Sequence, residues 1–243
     1  MKEKLFTIPV NEAFDVGLEC PLCQMKKKLE LDAIDYTMGT SYMEDYIRLE
    51  TDKIGFCSHH VPHLYANQNR LGLALILKTH MDKTVSDLEK LTKNGVKLST
   101  PHLFKKKNNQ NAITDYINKL NSSCFVCNRV NDFFERYVVT VFYMYKNDAD
   151  FRTKLKNSKG FCTGHYGLLY ELAPSNLSGT MLEDFISDIN NLYIENFKRV
   201  RDDLDWFIDK FDYRYVNEPW KNSKDALIRA MLKINSITDN EIT

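Results

Sequence analysis

The chain has 243 residues, with 33 basic and 33 acidic side chains and a formal net charge of zero. That length can bury a full hydrophobic core without help from a metal. The balanced charge argues against a general nucleic-acid binder, which carries a large basic excess, and no run of about 18 or more apolar residues marks a membrane span.

In chain order, the first signal is Cys20-Pro-Leu-Cys23, placed at a tight turn that starts a helix. Ser41-Tyr-Met-Glu44 reads as a second helix start of the capping-box kind, in which hydroxyl and carboxylate satisfy free amides. Gly55-Phe-Cys57-Ser-His-His60 follows, and a helix beginning near Cys57 is expected to extend through Leu71 to Leu77. Ser86-Asp-Leu-Glu89 has the form of another helix start. From about Asn94 to Asn111 come Asn-Gly, Pro, the run Lys105-Lys106-Lys107 and several Asn residues, a joint between halves. The Lys run has no interleaved aromatics for base stacking and reads as a solvated loop.

Cys124-Phe-Val-Cys127 opens the second half. Val130, Phe133, Phe134, Tyr137, Val138, Val141, Phe142 and Tyr145 then form the i, i+3, i+4, i+7 stripe of a buried helix face. Gly160-Phe-Cys162-Thr-Gly-His165 repeats the earlier motif. A long helix is expected from Thr180-Met-Leu-Glu183, with its stripe running through Leu182, Ile186, Ile189, Tyr193, Phe197, Val200, Leu204, Phe207 and Phe211, about 45 Å at 1.5 Å per residue. Pro219-Trp220 and Ser223 to Leu227 suggest a turn and a short terminal helix. Alternating strand patterns are scarce, so the fold is expected to be all-α: two duplicated helical units, each holding a metal site, with a long helix toward the C-terminus. The expected organisation is 1–95 and 123–212 as metal-binding repeats, 96–122 as the connection and 213–243 as an extension with no counterpart in the first half.

All six cysteines fall within two copies of one pattern: C-x-x-C, then 33 or 34 residues before the cysteine of G-F-C-x-x-H. Three cysteines per half cannot pair completely as disulfides, whereas three thiolates and one imidazole complete a tetrahedral shell. The candidate ligands are Cys20, Cys23, Cys57 and His60, then Cys124, Cys127, Cys162 and His165, taking two Zn2+ ions per chain in preference to an iron–sulfur cluster. His59 and His63 compete with His60, but Gly164 and Leu168 stand at their places in the second copy. His80 and His102 read as ordinary side chains. Two haem or redox alternatives fail: no C-x-x-C is followed by His, and a thioredoxin-like pair needs no distant C-x-x-H. Pairing of C-x-x-C with the C-x-x-H of its own half closes the shorter loop and is the expected arrangement, although exchange between halves stays open. Four protein ligands per ion leave no position for substrate, which argues against catalysis by the metal.

The motifs Cys20-Pro-Leu-Cys23, Gly55-Phe-Cys57, Gly160-Phe-Cys162 and their histidines, with Asn69 to Leu75, Lys210 to Arg214, Pro219-Trp220 and Ser223 to Leu227, give the chain a resemblance to a bacterial family of unknown function. That family carries paired C-P-[I/L]-C and G-F-C-x-x-H motifs. The resemblance implies metal binding and a bacterial origin and names no reaction. Phe125 departs from it, standing where the first copy has Pro21.

Three functions follow as expectations. The first is a cytoplasmic, zinc-stabilised helical protein, monomer or homodimer, that binds an unidentified protein or small-molecule partner; the polar start Met-Lys-Glu-Lys-Leu-Phe is unlike a signal peptide. The second is an enzyme or anionic-ligand binder using Arg214, Trp220, Lys224, Asp225 and Arg229. The third is a thiol redox or metal sensor.

Overall fold

The computed structural model describes residues 5–93 and 111–237. His102, the Lys105 to Lys107 run and most of the expected connection lie outside them. Among the described residues the protein is entirely helical, with eleven α-helices and no strand. They are α1 (Thr7–Asp15), α2 (Pro21–Met38), α3 (Asp45–Ile54), α4 (His60–Ala66), α5 (Arg70–Thr92), α6 (Ala112–Asn121), α7 (Phe125–Asn147), α8 (Ala149–Lys156), α9 (Thr163–Asn176), α10 (Gly179–Asp209) and α11 (Ala226–Asn235).

The chain divides into two compact units, one comprising residues up to Lys28 and from Phe133 onward, the other Leu29–Asp132. In the first, the aromatic stripe of α7 is core. Val138, Val141, Phe142 and Tyr145 are almost fully buried, and Phe142 and Tyr145 pack on Phe185 of α10 with ring centroids 5.0 and 4.9 Å apart. The buried face of α10 is Phe185, Ile189, Leu192 and Val200. It is rotated from the expected stripe at its N-terminal end and fades before Phe211, which is exposed. In the second unit, α3 and α5 pack together, with Ile47, Thr51, Leu73 and Ile76 buried.

Several helix boundaries differ from expectation. Ser86 to Glu89 lies inside α5, because helix propensity and the neighbouring turns carry the chain through a sequence that could also start a helix. Ser41 to Glu44 forms a 3₁₀ turn (Thr40–Met43), and α3 starts one residue after Glu44. Near Thr180 a helix does start, at Gly179, with Ser178 as its N-cap and no side-chain cap bond. The expected continuous helix from Cys57 to Leu77 is broken between Ala66 and Arg70. There Gln68 adopts φ +72° and the Asn69 side chain accepts from the Gly72 amide, capping a new helix.

Candidate metal centre

Both C-x-x-C motifs sit where a helix begins. Cys20 precedes α2 and Cys124 precedes α7, so each pair falls within the first turn, where free amides and the helix dipole favour negative sulfur. The Cys127 amide lies 3.5 Å from Cys124 Sγ. Both C-x-x-H motifs also open helices. Cys162 is the N-cap of α9 and takes the His165 amide on its sulfur at 3.4 Å; His60 is the first residue of α4. Gly55 and Gly160, with φ +67° and +76°, reverse the chain just before each C-x-x-H.

The eight residues gather as two tetrads: Cys20, Cys23, Cys162 and His165 in one, Cys57, His60, Cys124 and Cys127 in the other. The donor atoms of each lie within 4.8 Å of one another. The expected pairing within each half is therefore corrected: each tetrad joins the C-x-x-C of one half to the C-x-x-H of the other. Helix lengths explain why. After Cys23 the chain travels along α2 for 18 residues, about 27 Å, and returns along α3 for 10, about 15 Å. After Cys127, α7 has 23 residues and α8 only 8, about 34 Å out and 12 Å back. A return so much shorter than the outward run does not bring C-x-x-H back to its own C-x-x-C. Closure entropy resists weakly: widening the separation from about 34 residues to the 139 between Cys23 and Cys162 costs about 1 kcal/mol.

Both histidines present Nδ1 to sulfur. His165 Nδ1 is 3.4, 3.3 and 3.2 Å from Cys20, Cys23 and Cys162. His60 Nδ1 is 3.2, 3.3 and 3.3 Å from Cys57, Cys124 and Cys127. Cys23 and Cys162 sulfurs are 3.6 Å apart, and Cys57 and Cys127 sulfurs 3.8 Å. Such crowding splits the proton affinities. Hydrogen bonds with Cys162 and Cys20, reinforced by burial, push the Cys23 thiol far up; those from Cys20 and Cys23 hold Cys162 well below the usual thiol range. In the other tetrad, burial and the neighbouring Cys124 push Cys127 up to about 12. Cys124, against the effect of burial, is drawn down to about 6 by His60. Burial opposes charge on both imidazoles, yet adjacent sulfurs raise His60 to about 10 and His165 to about 9, with Glu30 contributing at His60. In each tetrad a stabilised thiolate, Cys162 or Cys124, thus stands against a thiol that resists losing its proton, Cys23 or Cys127. A divalent cation replaces those protons and relieves the crowding, so the donor sets fit metal ions.

The tetrads differ in their surroundings. The first is closed: Cys20, Cys23 and Cys162 are buried, and the C-terminal extension covers them. Ser236, at the left-handed end of α11, sets its hydroxyl 3.0 Å from Cys162 Sγ, and Thr163 Oγ1 donates to the Lys233 carbonyl. Lys233 is itself buried, its ammonium donating to the carbonyls of Glu19 (2.7 Å) and Lys159 (2.5 Å) and lying 3.3 Å from Glu19 Oε2. Arg199 adds an ion pair to Glu19 Oε2 at 2.6 Å, while Glu19 Oε1 is buried without a partner. In the second tetrad Cys57 and Cys127 are only half-buried. The Phe125 amide donates to the Gly55 carbonyl, and Ser123 Oγ donates to that of Ile54 at 2.6 Å. Pro21 could not make the former bond, so the departure at Phe125 supplies a donor. His60 Nε2 lies 2.8 Å from Glu30 Oε1, a carboxylate–imidazole link that leaves Nδ1 for a metal. His60 at 2.8 Å and then His59 at 3.0 Å hold the Glu30 carboxyl down to about 2. Sequence reasoning missed Glu30 and Lys233.

Of the C-terminal candidates, Arg229 and Asp225 come together as an ion pair, and Arg214 has another partner. Arg229 bonds Asp203, Asp225 and the Asn222 carbonyl. Arg214 pairs with Asp212. Trp220 packs on Phe207 beneath the Lys210 ammonium, and Lys224 is exposed. His80 is half-buried, with Nδ1 2.8 Å from the Asp52 carbonyl.

No curated protein and no solved structure matches the chain. One family model does, over residues 1–241, described as a family of unknown function (DUF6062). With its two Cys3His tetrads and its all-helical architecture, the chain belongs to that family.

Proposed function

We propose that the protein is a cytoplasmic helical binding module whose two tetrads each hold a structural zinc ion. One observation carries this reading: four soft or borderline donors converge at each of two points. Regular zinc tetrahedra with Zn–S bonds of about 2.3 Å have edges of about 3.8 Å, and the sulfur separations of 3.6 and 3.8 Å support that size. An iron–sulfur cluster interposes several atoms and spreads its cysteines further. Four protein ligands fill each shell, so the ions fasten helix starts together and leave binding to other surfaces. Pairing of Arg229 and Arg214 with nearby carboxylates favours this over a ligand site at the C-terminus. Among the described residues no helix is long and apolar enough to cross a membrane. Elemental analysis of protein purified without chelator should give two zinc ions per chain; protein free of zinc would overturn the reading.

A second reading, a thiol sensor, is favoured at one tetrad only. The half-buried Cys57 and Cys127 have sulfurs 3.8 Å apart. Peroxide would take two electrons from this pair, forming a disulfide and water as the ion leaves. Mild peroxide should then release one zinc of the two; release of neither would dismiss the sensor.

A further inference from the structure

Glu30 and Phe134 stand ten residues beyond Cys20 and Cys124, at equivalent places on α2 and α7. Each faces the histidine of a tetrad. Glu30 bonds His60, while the Phe134 ring lies 5.3 Å from that of His165. A Cys3His site therefore forms without a carboxylate at this position. His59 and His63, likewise, have Gly164 and Leu168 as their equivalents. Three positions that are Phe, Gly and Leu around one tetrad are Glu, His and His around the other, and all three of these can ligate a metal.

These side chains are close and accessible. His59 Nε2 is 3.0 Å from Glu30 Oε1, with side-chain exposures of 53% and 31%. His63 lies one helical turn on, its ring 5.1 Å from that of His59, and is exposed. Exposed side chains change rotamer within nanoseconds, so His63 can turn a nitrogen toward an ion held by the other two.

Charge points the same way. An ion of charge two among three thiolates and a neutral imidazole leaves one net negative charge. Beside the buried tetrad, Glu19 adds one more, and Lys233 and Arg199 cancel both. Beside the exposed tetrad, Glu30 also adds one, and a divalent ion on Glu30 offsets it.

We propose that Glu30, His59 and His63 form a third, solvent-facing site for a borderline divalent cation such as Zn2+, Co2+ or Ni2+, with water completing its shell. Glu30 is shared, bonding the ligand His60 through one oxygen and offering the other to the outer ion. The charge argument rests on the tetrad holding its own ion, and the test separates the two.

The full chain, loaded with two zinc ions, is dialysed against Co2+ in a non-coordinating buffer and its absorption recorded. One additional Co2+ per chain is expected, with the weak bands of nitrogen and oxygen ligands and no sulfur-to-cobalt charge transfer. His59→Ala/His63→Ala should bind the added ion at least about tenfold more weakly while keeping its zinc. Failure to retain added Co2+, equal retention by the double variant, or a sulfur charge-transfer band showing exchange into a tetrad would each overturn the third site. Absence of zinc before cobalt is added would instead strike at the tetrads alone.

Discussion

Lys233 and Ser123 hold equivalent carbonyls. The ammonium of Lys233 binds the oxygen of Lys159, and the hydroxyl of Ser123 binds that of Ile54; each oxygen belongs to the residue before the glycine of G-F-C-x-x-H. The Ser123 bond ties the loop carrying one ligand pair directly to the loop carrying the other, whereas Lys233 joins them by bonding the Glu19 carbonyl as well. Around the exposed tetrad, neighbouring residues suffice, with the Phe125 amide as second tie. Around the buried one, Pro21 lacks that amide, and Lys233 arrives from the C-terminal extension to hold the Glu19 carbonyl as well.

The two ties should differ in strength. Ser123→Ala removes a neutral hydroxyl bond, for about 1 kcal/mol. Lys233→Met leaves Glu19 buried with half its counter-charge and two carbonyls unpartnered, for about 3 kcal/mol. Adding Glu19→Gln should recover part of that loss. Urea unfolding of metal-loaded protein measures all three variants, and a Lys233→Met cost no larger than that of Ser123→Ala would refute the clamp.

Exchange of ligand pairs between halves can be tested by counting ions. Cys57→Ala/Cys124→Ala damages a single tetrad and should leave about one tightly held zinc. Cys57→Ala/Cys20→Ala damages both and should leave none. Pairing within halves predicts the reverse, so zinc content of the two double variants distinguishes the arrangements directly.

The eight residues of the tetrads were legible because sulfur and imidazole at fixed spacing, stated twice, have few other uses. Their partnership was not, since spacing gives loop length but not how far each helix carries the chain; that needed the contrast of α2 with α3 and of α7 with α8. Helix existence was legible from apolar period. Boundaries were less so: Ser86 to Glu89 has the form of a cap but lies inside α5, and the break at Gln68 depends on a left-handed residue that any sequence rule would place at glycine. Glu30 and Lys233 were hidden for one reason. A charged residue on an amphipathic helix reads as solvated, and only the tertiary neighbours show that one faces His60 and the other is buried.

Glu30 should carry a pH signature. Its folded-state carboxyl is held at about 2, below the ordinary 4.5, by His60 first and His59 second. A depressed acid stabilises the fold fully above the ordinary value and loses that contribution as pH falls through the depressed one. In chelator-treated protein, Glu30→Gln should therefore lower stability most just above about pH 5, and the difference from wild type should shrink as pH falls toward 2. Denaturant midpoints across this range measure it. With metal present at neutral pH, the same variant should weaken binding at the exposed tetrad by about tenfold or more; a gap between variant and wild type that widens with acid would contradict the link.

Gly55 is the sharpest steric requirement near the exposed tetrad. Its φ of +67° and ψ of −157° lie in a region that is essentially restricted to glycine, where other residues lose about 1–3 kcal/mol. An added Cβ would also meet the His80 ring at 2.7 Å. His80 is anchored to the Asp52 carbonyl and cannot withdraw without breaking that bond. Gly17 also has a positive φ, +68°, with nothing within 4 Å of a Cβ, so a side chain there meets no steric obstacle. Gly55→Ala should cost about 3 kcal/mol or more, and Gly17→Ala about 1 kcal/mol. Adding His80→Ala to Gly55→Ala should return the steric part and leave the backbone part. Thermal or urea unfolding of these variants decides the matter: equal costs at Gly17 and Gly55 would mean that the His80 ring yields freely and the turn before Cys57 is not held by it.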